Sequence, residues 1–399
     1  MNETTVIRAL SNGVNQKGVR NHNERLILSV LQRHGDLSGS DIARRTHLSA
    51  QTVSVILRKL EQDDLVRKGR PTRGKIGKPS VPMALNPGGA LSVGFKLGRR
   101  GSELFLMNLC GEVLFERRIT YDIAIPEAIF AFMRDSFEDA LSHVGPVTAQ
   151  KLCGIGIALP FEIWKWGTSD GNTPQEFLRW KDIVFEDEVA RFTDLPVFMV
   201  NDATSACWAE HVHGRGKEFR DYAYFFISTF IGGGIVINQS VYEGARGNAG
   251  ALGSLRVGDR DGHTRQLIDV ASIHVLEATL QRAGHDPRGL WAQPQDWSAF
   301  EPHVSDWIET TANEVAQACL SACAIIDFEA IVIAGACPAD VRARLVAGVR
   351  ARLPQQDSRG LILPRIEEGA IGGEARAIGA ACGPIYAQYF LTAHPGPPD

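Results

Sequence analysis

Between Leu37 and Val66 the chain reads LSGSDIARRTHLSAQTVSVILRKLEQDDLV. The side chains there that could do chemistry are hydrogen-bonding groups rather than nucleophiles. Gln51, Thr52, Ser54, Arg58 and Lys59 fall on one side of a helical pattern whose other side is Val53, Ile56, Leu57 and Leu60. Ser49 precedes that pattern, where its hydroxyl can cap the helix by accepting a bond from an orphan N–H of the first turn. Amide, hydroxyl and guanidinium groups on the first turns of a helix are suited to reading base edges in a major groove. A preceding helix, capped by Ser38 or Ser40 and carrying Ile42, Ala43 and Leu48 inward, completes a helix–turn–helix. A plain helical hairpin with a solvated face would share the pattern.

The charge distribution favours the DNA reading. Residues 1–86 carry fifteen Lys or Arg against seven Asp or Glu, a net +8. The rest of the chain carries −12, so the overall −4 conceals a basic head on an acidic body. A further helix from Asn23 to about Gly35, with Leu26, Ile27, Val30 and Leu31 on one face, precedes the pair. After it, LVRKGRPTRGKIGKPSVPMAL (65–85) has no helical period and holds Gly69, Pro71, Gly74, Gly77 and Pro79 among its cations. We read this as a two-stranded wing with a basic tip, in which Arg70, Arg73, Lys75 and Lys78 meet phosphates or the minor groove. A basic linker is the alternative. Asn86-Pro87-Gly88-Gly89 closes the module with turn chemistry.

The remaining elements must form a body. LSVGFKLG, SELFLMNLCGEVLFERRITYD and KLCGIGIALPFEI read as strands, with a helix from Pro126 to Ser142 before the last. The strand PVFMVND leads into a helix over Ala203–Val212. A second set begins with DYAYFFISTF and IGGGIVINQSVYEG, continues through helices after Asp269 and one through Asn313–Ala324, and adds the strand AIVIAGAC. The helix Gly373–Phe390 closes the chain. Two successive α/β units that each open with a hairpin predict two similar lobes, with a ligand cleft between them as the default expectation.

Composition bounds the class. With 399 residues, 44% hydrophobic and 22% charged, the chain is long enough for two or three globular domains. No run approaches the ~18–20 apolar residues of a membrane span, and the N-terminus lacks a signal-peptide core. The seven cysteines are scattered and odd in number, which predicts reduced thiols in a cytoplasmic protein. Cys319 and Cys323, four apart on a helix, read as small core residues rather than metal ligands.

Three stretches carry a family resemblance: GIGIALP (154–160), VNDATSACWAE (200–210) and FIGGGIVINQSVYEGARGNAGALGSL (230–255). They resemble the ROK family of repressors and sugar kinases, and the GKP near the end of the wing and the following LNP fit its repressor branch. The resemblance implies a winged helix-turn-helix followed by an actin-like (ribonuclease H-like), two-lobed α/β sugar-binding body. The boundaries expected are a tail over 1–20, the DNA-binding domain over 21–87, lobe 1 over 88–205 with the helix 373–392 packing back on it, lobe 2 over 206–372, and a tail over 393–399.

The family's functional residues carry over only in part. Its kinases hold phosphate with an Asp-x-Gly-Gly-Thr loop, and the matching stretch here is Lys96-Leu97-Gly98-Arg99-Arg100. A lysine therefore stands where a Mg²⁺-organising carboxylate is needed. The Asn-Asp pair is kept as Asn201-Asp202, where Asp202 would bind a sugar hydroxyl or simply cap the following helix. Gly-Glu-Ile-Gly-His becomes Gly250-Ala251-Leu252-Gly253-Ser254. The cysteine-rich zinc loop has no counterpart: no cysteine lies between Cys207 and Cys319, and His263 alone cannot supply the ~four ligands of structural zinc. A family glutamate after that loop aligns with Ile268, beside Asp269.

The resemblance thus implies an effector set of Asn201, Asp202, Asn248 and Ser254. Gly232, Gly233 and Gly234 would form a second phosphate-facing loop or serve as tight packing. Trp164, Trp166 and Trp180 would lie near the cleft, although a tryptophan is more often core. No metal or other cofactor and no catalytic residue is expected. The partners expected are double-stranded operator DNA, a small sugar-like effector and a second copy in a homodimer or tetramer, with no membrane. The expected function is a sequence-specific repressor of carbohydrate-related genes, gated by a sugar. A regulator that answers to another ligand or protein is the alternative, and an ATP-dependent sugar kinase is less favoured.

Overall fold

The computed structural model describes residues 22–69, 81–161, 163–165, 175–258 and 263–391. The head opens with α1 (His22–His34), whose buried stripe is Ile27, Leu28 and Leu31. It stops at Gly35, which turns out at φ +74°. Helix α2 (Gly39–Thr46) is capped by Ser38, whose hydroxyl accepts from Asp41 N. Left-handed His47 turns the chain into α3 (Ala50–Gln62), capped by Ser49. Val53, Leu57 and Leu60 of α3 are buried. Strands β1 (Val66–Lys68) and β2 (Met83–Leu85) pair antiparallel, with Val66 opposite Leu85 and Lys68 opposite Met83. Leu37 bridges to Met83, so the wing's base is stitched to the helices.

The first body sheet is built from β3 (Leu91–Leu97), β4 (Gly101–Asn108), β5 (Val113–Thr120), β6 (Leu152–Leu159) and β7 (Val197–Asn201), in the order β5-β4-β3-β6-β7. The β3–β4–β5 meander is antiparallel, and β3–β6 is parallel. Every residue of β3 is buried, the pattern of a strand covered on both faces. Helix α4 (Pro126–Ala149) covers one face and outlasts its sequence prediction: it breaks at Gly145 (φ +77°), and Pro146 restarts it. Short helices α5 (Gln175–Leu178) and α6 (Phe185–Val189) add Phe177 and Phe185 to the same core.

The second half repeats this plan. After α7 (Asp202–His213) come β8 (Tyr222–Ile227), β9 (Gly232–Ile237) and β10 (Ser240–Tyr242), then a small β11–β12 pair (Arg256–Gly258 with Thr264–Gln266). Helices α8 (Leu267–Ala271), α9 (Ile273–Arg282) and α10 (His303–Ile325) lead to β13 (Ala330–Gly335), α11 (Ala339–Arg352) and β14 (Arg365–Glu368). The sheet order β10-β9-β8-β13-β14 again joins an antiparallel meander to two parallel strands. Helix α10 begins ten residues before the Asn313 expected from sequence and supplies much of this half's core, including Val304, Ile308 and Val315.

Helix α12 (Ala375–Tyr389) closes the described chain. The described residues divide into two compact units: one holds the head, the first sheet and α12 from Ala377 onward, the other spans Asn201–Arg376. Within the first unit, α12 lies hard against the sheet. A Cβ on Gly94 would come within 2.2 Å of Ala377 O, and one on Gly156 within 1.8 Å of Ala380 O. Only glycine permits that approach. Ser92 Oγ donates to Ala381 O (2.6 Å), and Gln388 Nε2 donates to Cys153 O (2.5 Å).

The head belongs to this same unit and is tied to it at two seams. Lys151 donates to Gly88 O (2.6 Å) and pairs with Asp64. Arg25 Nε donates to Phe390 O (2.7 Å), and Leu391 N donates to Ser29 Oγ (2.9 Å). Among the described residues no helix is long and apolar enough to cross a membrane.

Candidate nucleic-acid interface and ligand site

The polar row predicted on α3 emerges as an exposed face. Gln51, Ser54, Arg58 and Lys59 are exposed and Thr52 is half-buried. Ser49 Oγ accepts from Thr52 N (3.1 Å) and lies 2.8 Å from Thr52 Oγ1, so these two hydroxyls first serve to start the helix. Arg58 Nε donates to Ser54 O (3.2 Å), laying the guanidinium along the helix surface. Lys59 pairs with Glu24, a carboxylate only 6% exposed on α1, so its ammonium is partly committed to holding α3 on α1. Arg70, Arg73, Lys75 and Lys78 lie outside the described residues.

Sequence reading passed over two cations. Arg44 and Arg45, in the last turn of α2, are exposed beside α3. Arg44 Nη2 bonds Asp41 Oδ1 (2.5 Å), while Arg45 lies 3.3 Å from His34 Nε2. The first helix of such a pair crosses the phosphate backbone, so two arginines at the end of α2 were a usable signal. Burial, with the charges of Arg45 and Arg33, holds the His34 pKa below the ordinary histidine value.

The four residues assigned to an effector share the second unit but not one role. Asn201 is buried, and its Oδ1 accepts from Ala203 N (3.0 Å) and Thr204 N (3.3 Å), capping α7. Asp202, one residue on, turns its carboxylate to Arg376, whose Nη1 lies 3.5 Å away. The Arg376 guanidinium also sits over the Phe226 ring at 5.3 Å. Asn248 lies half-buried in a turn that Gly244 (φ +77°), Gly247 (φ +67°) and Gly250 (φ +77°) make possible. Ser254 is exposed in a 3₁₀ turn.

The glycine triplet is close-packed. A Cβ on Gly232 would meet Ala203 Cβ at 2.7 Å, one on Gly233 Tyr224 O at 2.3 Å, and one on Gly234 Cys207 Cβ at 2.5 Å. A Cβ on Gly250 would meet the Gly234 backbone at 2.6 Å, so the Asn248 turn rests on β9 and β9 rests on α7.

Lys96, at the place of the family's first phosphate loop, is buried. Its ammonium donates to Gly101 O (3.1 Å) and lies 3.5 Å from Glu103 Oε1, inside its own hairpin. Trp180 is a core residue: Nε1 donates to Ala124 O (2.9 Å) and the ring stacks on Phe185. Trp164 is half-buried against the same core, and Trp166 lies outside the described residues. Cys319 and Cys323 are buried in the core of the second unit, and burial pushes the Cys323 thiol up to about 11. Ile268 packs on that core, and Asp269 is exposed. Among the described residues no three His, Cys, Asp or Glu side chains gather as a metal would require.

One buried acid escaped the sequence reading. Glu210, with no exposed surface, accepts from Arg215 N (2.8 Å), Ala370 N (2.9 Å) and Ile371 N (3.0 Å). Its carboxylate joins the end of α7 to the loop before α12.

A capped three-helix head with a two-stranded wing, followed by two sheets of the same strand plan, defines a winged helix-turn-helix protein with a sugar-kinase-like body. The ROK family model matches residues 92–382 and a winged helix-turn-helix DNA-binding model matches residues 20–67. The chain belongs to the ROK family. It is 26% identical over 377 residues to protein y4fQ of Sinorhizobium fredii, covering 93% of this chain and 92% of that one. It is also 26% identical to the xylose repressor of Bacillus subtilis, over 61% of this chain and 62% of the repressor. Among solved structures it resembles a ROK family transcriptional regulator, a homologue of the Escherichia coli MLC protein, with a TM-score of 0.64, 20% identity, and coverage of 92% of this chain and 96% of that one. The ROK glucokinase of Streptomyces griseus shares the body fold alone, with a TM-score of 0.55 at 20% identity over 73% of this chain and 98% of the kinase.

Proposed function

We propose that this protein is a sequence-specific DNA-binding repressor of sugar-related genes whose grip on its operator is set by a sugar or sugar derivative bound to the second unit. The observation that carries this reading is α3: a capped helix presenting Gln51, Ser54 and Arg58 from a basic winged head. The xylose repressors and NagC among its relatives support it. A homodimer on a two-fold operator is the assembly that half-site symmetry favours. A sugar hydroxyl would meet Asp202, with Asn201 holding the helix start in place and Asn248 and Ser254 completing the contacts.

Coupling requires that the ligand bind the DNA-competent and incompetent states with different affinity. Helix α12 offers the route. Its Arg376 faces Asp202, and the chain just beyond its last turn holds Arg25 of the head. A hydroxyl that competes for the Asp202 carboxylate would loosen Arg376, and the glycine-seated helix would pass the change to α1.

The body acts without phosphoryl transfer, without zinc and in the cytoplasm. Lys96 supports the first: its buried ammonium takes the place of the carboxylate that would organise Mg²⁺. A second reading, a regulator that answers to a protein or another ligand, is favoured by Ala251 and Ser254, which replace a glutamate and a histidine that contact sugars in the family.

The test is selection of duplexes from a random pool by the full chain, followed by affinity at two salt concentrations. A recovered motif with a steep salt slope is expected. A pool that stays random would contradict the proposal. A coupled ADP-release assay across hexoses and amino sugars should stay flat, and turnover of ~1–100 s⁻¹ would favour a kinase.

A further inference from the structure

The α3 face carries a large apolar side chain that is not buried. Val55 is 53% exposed, whereas the inward stripe of the same helix, Val53, Leu57 and Leu60, lies between 0% and 8%. Val55 lies outside that buried stripe. Its neighbours on the surface are Gln51 one turn earlier, Ser54 beside it and Arg58 three residues on, all exposed. Arg58 Nε donates to Ser54 O, which lays the guanidinium along the helix surface, and Val55 stands exposed in the sequence between Gln51 and Arg58. A β-branched side chain in a helix holds one χ1 rotamer, so the Val55 methyls have a fixed direction.

The major groove presents one apolar group to such a surface, the C5-methyl of thymine. Resting on the reading of α3 as the recognition helix, we propose that Val55 is a specificity residue that packs on a thymine methyl in each operator half-site. That thymine lies within about two base steps of the base held by Gln51, since one helical turn separates the two residues. The contact selects thymine over cytosine without a hydrogen bond, and it would be invisible to a search for polar readers.

The test uses the full-length chain and the duplex it selects from a random pool. Each thymine of one half-site is replaced in turn by deoxyuridine, which deletes only the methyl. Wild type should lose about fourfold in affinity at one position, the effect of one buried methyl-sized group at ~0.8 kcal/mol. Val55→Ala should lower affinity for the thymine duplex and abolish the difference at that position, while Gln51→Ala should leave the methyl effect in place. Alanine at an exposed helical site keeps the fold. A methyl effect that persists in Val55→Ala would overturn the assignment, as would wild type indifferent to every thymine methyl. So would a Val55→Ala chain that changes oligomeric state but reads uracil as wild type does, which would assign the valine to a second copy. Failure of wild type to select any sequence would instead remove the reading of α3 on which this rests.

Discussion

The guanidinium of Arg25, on the first helix of the head, donates to the carbonyl oxygens of Phe390 (2.7 Å) and Tyr386 (3.2 Å) at the other end of the chain. These carbonyls end α12, where orphan C=O groups and the negative end of the helix dipole favour a cation. A contact spanning 365 positions in sequence therefore fixes the head to the body. Arg25→Met should cost about 1.5–3 kcal/mol by urea unfolding, the range for hydrogen bonds to a charged group. It should also reduce any sugar-induced change in operator affinity while operator binding itself persists. Full sugar response in the variant would exclude this contact from the coupling.

Gly156 controls how closely α12 approaches the sheet. Gly156→Ala puts a Cβ 1.8 Å from Ala380 O, and neither backbone can yield without moving the helix. We expect a loss of about 1–3 kcal/mol or more, the range for overpacking. Gly35→Ala, where a Cβ meets nothing within 4 Å but φ is +74°, should cost less. Similar urea midpoints for the two variants would mean that α12 is not clamped as described.

His213, in the last turn of α7, is held neutral: burial, aided by the charge of Lys217, lowers its pKa to about 4. An unfolded histidine takes up its proton near 6.5, so between pH 6.5 and about 4 the unfolded chain binds more protons. Stability attributable to this group is therefore complete above pH 6.5 and falls as pH drops through that window. His213→Gln should flatten the dependence of unfolding free energy on pH there. An unchanged slope would assign the acid sensitivity elsewhere.

The DNA-facing side chains should separate by role. Gln51→Ala and Ser54→Ala are expected to cost about 1–3 kcal/mol on the selected operator and little on random duplex. Lys75→Ala, Lys78→Ala and Arg45→Ala should weaken both duplexes alike and reduce the salt slope by about one each. Equal losses on both duplexes for all five variants would mean that α3 is not the reading helix.

The sequence made the head legible because its signals are local. Caps at Ser38 and Ser49 and stripes of helical period each report on residues a turn or two away; both caps and the α3 stripe appear as expected, whereas on α1 Leu28 takes the buried place expected of Leu26 and Val30. The body's paired meanders were legible as well, from long apolar strands. Lys59 and Glu24 were not, because an ion pair between α1 and α3 depends on how helices pack rather than on spacing. Glu210 was hidden for a related reason: its partners are backbone N–H groups at 215, 370 and 371, and backbone carries no sequence signature. Arg376 likewise gains meaning only when α12 brings it to Asp202. The glycine triplet was recognised as a motif, but its close packing on Ala203, Tyr224 and Cys207 emerged only from the fold. Val55 was overlooked because an apolar residue beside an apolar stripe reads as core.

The most direct test of the account measures operator affinity of the full chain against its own upstream DNA and a random duplex, with and without a panel of sugars, at two salt concentrations. We predict upstream binding at least ~10³-fold tighter than random, changed by one sugar in wild type and unresponsive to that sugar in Asp202→Asn. Equal affinity for both duplexes at every salt concentration would contradict the central claim that this chain is a sequence-specific, ligand-gated DNA-binding protein.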